Sequence, residues 1–86
     1  MIVWIPSPLR SYTGNKSKVT SSGKDVFEAL QKLDAAYPGI RFRMIDEQHK
    51  VRRHIRIFIN GEQEMDIARE LTSSDEVVIV QALSGG

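Results

Sequence analysis

The sequence predicts a two-layer α+β domain, in which one amphipathic helix packs on a single mixed β-sheet. Three observations lead to this prediction. One segment in the first half of the chain has the apolar spacing of a helix, and several others have the apolar alternation or β-branched content of strands. The length of 86 residues leaves room for one hydrophobic core.

The N-terminal third predicts two strands joined by a loop. Residues 2–5 form a short apolar run that Pro6 ends, which is typical of a buried strand. Residues 6–15 contain two prolines and a Gly-Asn pair, and these indicate a loop. Residues 18–21 predict a weaker second strand, which we expect to be the hairpin partner of the first.

Residues 25–37 have the clearest helical pattern. Asp25 is suited to cap the first free amides, and Glu28 three residues later gives a pattern like a capping box. Pro38 and Gly39 end the helix. Residues 40–45 fit either a helical turn or a strand. The apolar stripe of the helix consists of Val26, Leu30, Leu33 and Tyr37, widened by Phe27 and Ala29.

The second half predicts three further strands. Residues 51–60 alternate most strongly, Asn60-Gly61 is a tight-turn signal, and a short strand follows at 63–67. After a polar connection, residues 76–82 carry apolar side chains on both faces, as in a central strand. The alternation of 51–60 places Val51, Ile55, Ile57 and Ile59 on one face, and Arg52, His54, Arg56, Phe58 and Asn60 on the other.

Composition excludes several classes of function. The chain has no cysteine, which excludes disulfides, thiolate metal sites and thiol catalysis. The formal net charge is +1, but residues 41–56 carry +4 and residues 57–86 carry −5. Such polarity suits docking to a partner of complementary charge, and it equally fits two solvated faces of one stable domain. The longest apolar run has five residues and no secretion signal is evident, so we expect a cytoplasmic protein.

No catalytic constellation is visible in the sequence. His49 and His54 are the only histidines, and neither has a further ligand at metal-binding spacing. There is no nucleophile elbow and no phosphate-binding glycine loop. We therefore predict no metal site and no catalytic residue.

The end of the chain is its most distinctive feature. Two glycines closely follow the last strand and finish at a carboxylate. Glycines lack β-carbons, so such a tail fits a narrow tunnel. Four extended residues reach at most about 14 Å, enough to carry a carboxylate into the active site of another protein.

Seven short segments carry a resemblance that covers nearly the whole chain. They are Ile5-Pro6, Leu9-Arg10, Tyr12-Thr13-Gly14, Tyr37-Pro38-Gly39, Ile55 to Gly61, Asp75-Glu76-Val77 and Leu83-Ser84-Gly85-Gly86. With them the chain resembles the MoaD/ThiS family of ubiquitin-like sulfur carriers, especially the carriers of molybdopterin synthesis and of protein-thiocarboxylate cysteine synthesis. It departs from the family in having Gln81-Ala82-Leu83-Ser84 where a proline usually precedes the small residues.

The resemblance implies a ubiquitin-like β-grasp fold with a mixed four- to five-stranded sheet. Residues 1–82 would form the domain, and residues 83–86 (Leu83, Ser84, Gly85 and Gly86) a flexible tail. A ubiquitin-activating-type enzyme would use ATP and Mg²⁺ to adenylate the Gly86 carboxylate, and a persulfide donor would convert it to a thiocarboxylate. A sulfur-accepting synthase would then receive the sulfur in cofactor, cysteine or related biosynthesis. The carrier itself would be no enzyme and bind no cofactor, although it fits the non-catalytic small subunit of a synthase.

Three residues are predicted to dock partner enzymes. The alternation of 51–60 places Phe58 beside Arg56 on the face opposite the isoleucines, where an exposed aromatic ring would anchor a partner. Arg10 and Arg56 are candidates to pair with acidic partner residues. For Phe58 the alternative is packing under a loop. Leu83, at the base of the tail, is expected either to dock or to cap the edge of the core.

Two other functions remain open from the sequence. In the first, the chain is a ubiquitin-like modifier, and the activated Gly86 forms an amide with lysines of target proteins. In the second, the basic 50–56 segment binds RNA, with Phe58 as a stacking platform. The near-neutral total charge argues against the RNA-binding function.

Overall fold

The computed structural model describes residues 1–82, whose elements follow the predicted order. The sheet in this part of the chain consists of β1 (Ile2–Trp4), β2 (Lys18–Thr20), β3 (Ile55–Ile59), β4 (Glu62–Gln63) and β5 (Glu76–Gln81). The helices described are a 3₁₀ helix (Ser7–Thr13), α1 (Val26–Ala36) and α2 (Ile40–Met44). None of the described helices is long and apolar enough to cross a membrane.

The five strands form one mixed sheet in the order β2-β1-β5-β3-β4. β1 and β5 run parallel, whereas β1–β2, β5–β3 and β3–β4 are antiparallel pairs. The predicted hairpin of β1 with β2 is confirmed, and so is the central position of the last strand. The strands that are distant in sequence therefore meet at β5, the strand from which the chain continues to its C-terminal end.

Helix α1 begins where its cap predicts. Asp25 Oδ1 accepts the Glu28 N–H at 2.8 Å, which satisfies one of the free amides of the first turn. In an ideal capping box the Glu28 side chain would accept the N–H of the cap residue itself. Here the Glu28 carboxylate accepts the N–H of the preceding residue, Lys24, at 3.2 Å. The face turned to the sheet consists of Val26, Ala29, Leu30 and Leu33.

The core lies between α1 and one face of the sheet. Ile55, Ile57 and Ile59 are 0–1% exposed, as their alternation in the sequence predicts. Val77 and Ile79 of β5 lie beside them at 2% exposure. Burying one such side chain contributes roughly 1.5–3 kcal/mol, so this row of aliphatic residues stabilises the central strands against α1.

The predicted loop at residues 6–15 is wrong in one respect, because residues 7–13 form a 3₁₀ helix. Leu9 and Thr13 of this helix are buried, and Gly14 ends it in the left-handed conformation with φ 63°. The buried Thr13 hydroxyl donates to the carbonyl of Lys16 at 2.7 Å. Packing of Leu9 into the core and satisfaction of the threonine hydroxyl together favour the helical turn over an open loop.

The predicted strand 51–60 is also too long, since β3 begins only at Ile55. Val51 instead forms an isolated bridge with Ile45, and the Arg52 N–H donates to the carbonyl of Met44 at 3.0 Å. Of residues 40–45, which fitted either a helix or a strand, Ile40–Met44 form α2 and Ile45 is extended. Residues 51–54 therefore belong to the connection after α2, and the alternation of β3 does not extend to Arg52 and His54.

The short fourth strand ends earlier than predicted, at Gln63 and not at residue 67. The carbonyl of Ile67 accepts the Phe27 N–H at 2.9 Å, and the carbonyl of Arg69 accepts the Val26 N–H at 3.1 Å. The chain after β4 therefore turns onto the N-terminus of α1, whose free amides offer more hydrogen bonds than an edge strand would.

Candidate functional site

A hydrogen bond fixes the last residue that the structure describes, just after β5. β5 ends at Gln81, and the N–H of Ala82 donates to the carbonyl of His54 at 2.8 Å. This bond ties the last described residue to the connection that leads into β3. The four predicted tail residues, Leu83, Ser84, Gly85 and Gly86, lie outside the described residues. The described part of the chain therefore ends at Ala82, beside the end of β5.

Phe58 lies on the sheet face that α1 does not cover. It is directly opposite Val78 of β5, which is in turn opposite Trp4 of β1. Arg56 and Val80 form the next pair on the same face. We call this surface the open sheet face. It is defined by Trp4, Arg56, Phe58, Val78 and Val80.

The open sheet face is apolar at its centre and only partly shielded. Phe58, Val78 and Trp4 are half-buried, and Val80 is 41% exposed. The indole Nε1 of Trp4 donates to Glu76 Oε2 at 2.7 Å. Phe58 therefore belongs to a continuous apolar row, and such a row on a sheet face is suited to contact another protein.

The two arginines predicted to dock partners contact backbone carbonyls. Arg56 Nη1 donates to the carbonyls of Arg53 at 2.6 Å and of Ile55 at 2.9 Å. Arg10 Nε donates to the carbonyl of Ile5 at 3.0 Å. Arg10 is half-buried in the 3₁₀ helix, so its bond to Ile5 holds that helix against the residue that follows β1.

Neither histidine belongs to a group of three or more ligating side chains within residues 1–82. The ring of His49 lies 5.0 Å from that of Phe27, centroid to centroid, in a tilted arrangement. His54 is exposed beside Arg43 and Arg52. Within residues 1–82 no cluster of three or more His, Asp or Glu side chains has the geometry to hold a metal ion.

Two carboxyl groups have shifted pKa values, and both lie in turns. The backbone N–H of Lys50 bonds to the half-buried Asp46 side chain and lowers its pKa, with a further bond from Gln48. The backbone N–H of Thr72 lowers the pKa of the half-buried Asp75, and a hydrogen bond from the Asn60 side chain lowers it further. These hydrogen bonds stabilise the carboxylate form. Both shifts are explained by turn geometry, so neither group has the perturbed pKa of a catalytic acid or base.

The basic residues of the RNA-binding alternative do not share one face. Phe58 and Arg56 lie on the open sheet face, whereas Arg52 Nε donates to the carbonyl of Phe42 in α2 at 2.7 Å. The guanidinium of Arg52 also lies 4.6 Å from the centroid of the Phe42 ring. The RNA-binding hypothesis requires Arg52 to lie on the same strand as Arg56, but β3 begins only at Ile55.

The sequence interpretation missed three members of the open sheet face. Trp4, Val78 and Val80 lie on it. The sequence pattern indicates this position, because each of the three residues alternates with buried neighbours along its strand. It also missed the proximity of Tyr12 and Arg43, whose hydroxyl and Nε are 2.7 Å apart. No local pattern connects residues so far apart in the chain.

Proteins of known function match this chain over nearly its full length. It is 33% identical to the sulfur carrier protein CysO of Mycobacterium tuberculosis and of Mycobacterium bovis, over 98% of this chain and 96% of theirs. These relatives are named as carriers and not as enzymes. This agrees with the prediction that the chain has no catalytic activity of its own.

Solved structures confirm the ubiquitin-like β-grasp fold. CysO in the BexX/CysO complex of Amycolatopsis orientalis gives a TM-score of 0.90 at 30% identity, covering 99% of this chain and 98% of that one. The small archaeal modifier protein 1 of Methanosarcina acetivorans gives 0.79 at 28% identity, covering 99% and 94%. The ThiS family model matches residues 3–86. The chain therefore belongs to the ThiS family.

Proposed function

We propose that this protein is a sulfur carrier and that the Gly86 carboxylate is the group that carries sulfur. The observation behind the proposal is that the family match extends through the diglycine to residue 86. The described part of the chain ends at Ala82, just after the central strand β5, and the Ala82 N–H donates to the carbonyl of His54. The similarity to proteins named as sulfur carriers supports the same role here.

The proposed cycle begins with activation of the carboxylate. A carboxylate is a poor electrophile, so a ubiquitin-activating-type adenylyltransferase uses ATP and Mg²⁺ to convert it to an acyl adenylate with release of pyrophosphate. Sulfur from a persulfide donor then attacks the acyl carbon and displaces AMP. Cleavage of the sulfur–sulfur bond by a second thiol leaves Gly86 as a thiocarboxylate.

The last step transfers sulfur to an acceptor in a downstream synthase. The thiocarboxylate sulfur is a better nucleophile than the oxygen it replaced, and the acceptor is a precursor of a cofactor, of cysteine or of a related metabolite. The carrier contributes no acid, base or metal in this cycle. That division of labour is consistent with the absence of cysteine from the chain and of a metal-binding cluster from residues 1–82.

The folded domain would position the tail by docking on its open sheet face. Phe58, Val78 and Trp4 offer a partner an apolar row, with the Arg56 side chain beside it. Ordering the tail in a partner costs roughly 1–2 kcal/mol per residue, and contacts on this face would offset that cost. The complex of BexX with CysO shows that a relative of this chain forms an assembly with another protein.

Deleting Gly86 tests the proposal at its first step. We expect the deletion to abolish ATP–pyrophosphate exchange by the activating enzyme, because the shortened tail no longer brings a carboxylate to the nucleotide. The melting temperature of the deletion variant should stay close to that of the full chain, since the deletion changes none of the core residues described within 1–82. Undiminished exchange with the deletion variant would contradict the assignment of Gly86.

Replacing Phe58 tests the docking face. Phe58→Ala should raise the KM of the activating enzyme for the carrier by about tenfold or more and leave kcat nearly unchanged, because the ring contacts the partner and not the reacting atoms. Met65→Ala is a matched control, since Met65 is a large apolar side chain, 44% exposed, and lies outside the sheet face. Equal KM values for both variants would show that docking uses another surface.

A second candidate, modification of other proteins through Gly86, is favoured by one observation. The small archaeal modifier protein 1 shares 99% coverage of this chain at 28% identity. In this function the activated Gly86 forms an amide with a lysine of a target. A ladder of covalent conjugates on a blot, absent when Gly86 is deleted, would support the modifier, whereas a sulfur-for-oxygen exchange without conjugates supports the carrier.

A further inference from the structure

A basic groove lies beside the point where the chain leaves β5. Helix α2 and the connection that follows it enclose a cavity of about 260 Å³, lined by Phe42, Arg43, Glu47, Arg52 and His54. We call it the arginine groove. An adjoining depression of about 220 Å³ shares Arg43 and His54 with the groove and reaches Gln81, the last residue of β5.

Both arginines of the groove are held in place by one N–H each. Arg52 Nε donates to the carbonyl of Phe42 at 2.7 Å, and Arg43 Nε donates to the hydroxyl of Tyr12 at 2.7 Å. Their guanidinium groups lie 4.6 Å and 6.0 Å from the ring centroids of Phe42 and Tyr12. Neither terminal Nη group makes a hydrogen bond to any of residues 1–82. Each guanidinium is therefore held in place through its Nε, while its terminal Nη groups can still donate hydrogen bonds to a partner.

Neither arginine of the groove forms an ion pair within 4.0 Å among residues 1–82. The one ion pair that residues 1–82 form within 4.0 Å joins Arg69 to Glu64, in the segment after β4. Glu47 is the single carboxylate in the lining of the groove. The segment 41–56 as a whole carries a net charge of +4. The groove is therefore complementary to a partner surface that carries carboxylates.

An exposed aromatic ring completes the surface. Phe42 is 57% exposed, more than any other large apolar side chain of residues 1–82. One side of the ring is covered by the Arg52 guanidinium, and the remaining surface faces solvent. A partly exposed ring between fixed arginines has the composition of a binding hot spot, in which aromatic and arginine residues are enriched.

We propose that the arginine groove docks an acidic segment of the enzyme that acts on Gly86. That segment would place carboxylates against Arg43 and Arg52 and an apolar side chain against Phe42. The inference rests on the proposed function, because the Ala82 N–H bonded to His54 brings the chain out beside the groove. The remaining residues 83–86 reach at most about 14 Å, so an enzyme that receives Gly86 also covers this surface.

The observations favour a protein over a nucleic acid as the occupant. Arg52 already stacks on Phe42, so the ring is not free on both faces to stack with bases. Glu47 lines the groove and Asp46 precedes it in the chain, and both would repel a continuous phosphate backbone. A protein segment places its few carboxylates at the two arginines and uncharged groups beside Asp46 and Glu47, and the guanidinium fork matches carboxylate geometry.

The test uses nitrogen-15 NMR of the full chain with an acidic probe. The probe is the acetylated, amidated pentapeptide Asp-Glu-Leu-Asp-Glu, and the control peptide has Asn and Gln in place of Asp and Glu. We expect saturable shifts of backbone amides within residues 42–54 with the acidic peptide only. The double variant Arg43→Glu with Arg52→Glu should weaken binding by about tenfold or more.

Matched variants distinguish binding in the groove from a general effect of charge and from misfolding. Lys24→Glu with Lys32→Glu makes the same charge change at exposed sites on and before α1 and should bind as the original chain does. Phe42→Ala keeps both arginines and should still weaken binding. Deleting Gly86 should not affect peptide binding, so failure of the carrier function and failure of the groove give different results. The proposal is overturned by the absence of shifts, by equal weakening in both double variants, or by tighter binding of a single-stranded oligoribonucleotide of equal charge.

Discussion

Asp75 connects the hairpin turn of the sheet to the start of its central strand. Its Oδ2 accepts the Thr72 N–H at 2.8 Å, and its Oδ1 accepts Asn60 Nδ2 at 2.8 Å. Asn60 Oδ1 in turn accepts the Glu76 N–H at 2.9 Å. Because these donors stabilise the ionised carboxylate, the pKa of Asp75 is lowered from its ordinary value of 3.8.

Replacing this carboxylate should make stability less dependent on pH in the acid range. A group with a lowered pKa in the folded state stabilises the fold above its unfolded pKa, and this contribution is lost as pH falls through the folded pKa. We therefore expect Asp75→Asn to lower the melting temperature at pH 7, with the difference from the original chain shrinking below the ordinary carboxyl value of 3.8. Thermal unfolding followed by circular dichroism at several pH values measures this difference in melting temperature.

Glu62→Gln is the control for this prediction. Glu62 is exposed in β4, and no side-chain hydrogen bond involves it within residues 1–82. The substitution removes one negative charge without removing a carboxylate that is hydrogen-bonded in a turn. A pH dependence altered equally by both substitutions would attribute the effect to total charge and contradict the role given to Asp75.

Some of these residue contacts were predictable and others were not. Asn60-Gly61 was predicted as a tight turn, and both residues have positive φ, 51° and 88°. The alternation around Phe58 also predicted the face on which it lies. The bonds from Asp75 to Asn60 and from Arg52 to Phe42 join residues distant in sequence, and no local pattern encodes such tertiary contacts.

At the scale of elements, the approach of α1 to the end of β2 depends on Gly23. Its φ is +156°, and a β-carbon there would lie 2.6 Å from the backbone nitrogen of Ala29 and 3.0 Å from the carbonyl carbon of Glu28. Both neighbours are helix backbone and do not yield as a flexible side chain would. Nearby, the Ser21 hydroxyl donates to the carbonyl of Ala29 at 2.8 Å, which fixes the same approach.

Gly23→Ala should therefore destabilise the fold strongly. We expect a loss of about 2–4 kcal/mol in the free energy of unfolding, from backbone strain and from the clash with α1. Gly14→Ala is the matched control, because Gly14 has φ +63° with no heavy atom within 4 Å of the β-carbon position. It should cost about 1–2 kcal/mol from conformation alone. Urea denaturation measures both, and equal losses would contradict the close contact.

Elements with strong periodicity were predicted well, and those set by packing were not. The stripe of α1 predicts its type and position, and the alternation of β3 predicts its type and its C-terminal half but not its start at Ile55. The 3₁₀ helix at Ser7–Thr13 was missed because burial of Leu9 and Thr13 outweighs the loop preference of its prolines. The predicted fourth strand is too long because the carbonyls of Ile67 and Arg69 accept hydrogen bonds from the N-terminus of α1.

At the scale of the whole molecule, the fold places two possible docking surfaces around one end of β5. The open sheet face includes Val78 and Val80 of β5, and the depression next to the arginine groove reaches Gln81. Under the proposed function, a chain without a metal-binding cluster in residues 1–82 takes part in chemistry through its C-terminal carboxylate. In this account the domain binds enzymes and the diglycine carries the reactive group.

The most direct test of this account is the intact mass of the protein isolated together with its native partner enzymes. The account predicts a species heavier than the sequence mass by the exchange of one oxygen for sulfur, with the change located in the C-terminal peptide that ends at Gly86. Treatment with a thiol-reactive alkylating agent should add one label to that peptide, since the chain has no cysteine. An unmodified C-terminus under these conditions, or sulfur found on any other residue, would contradict it.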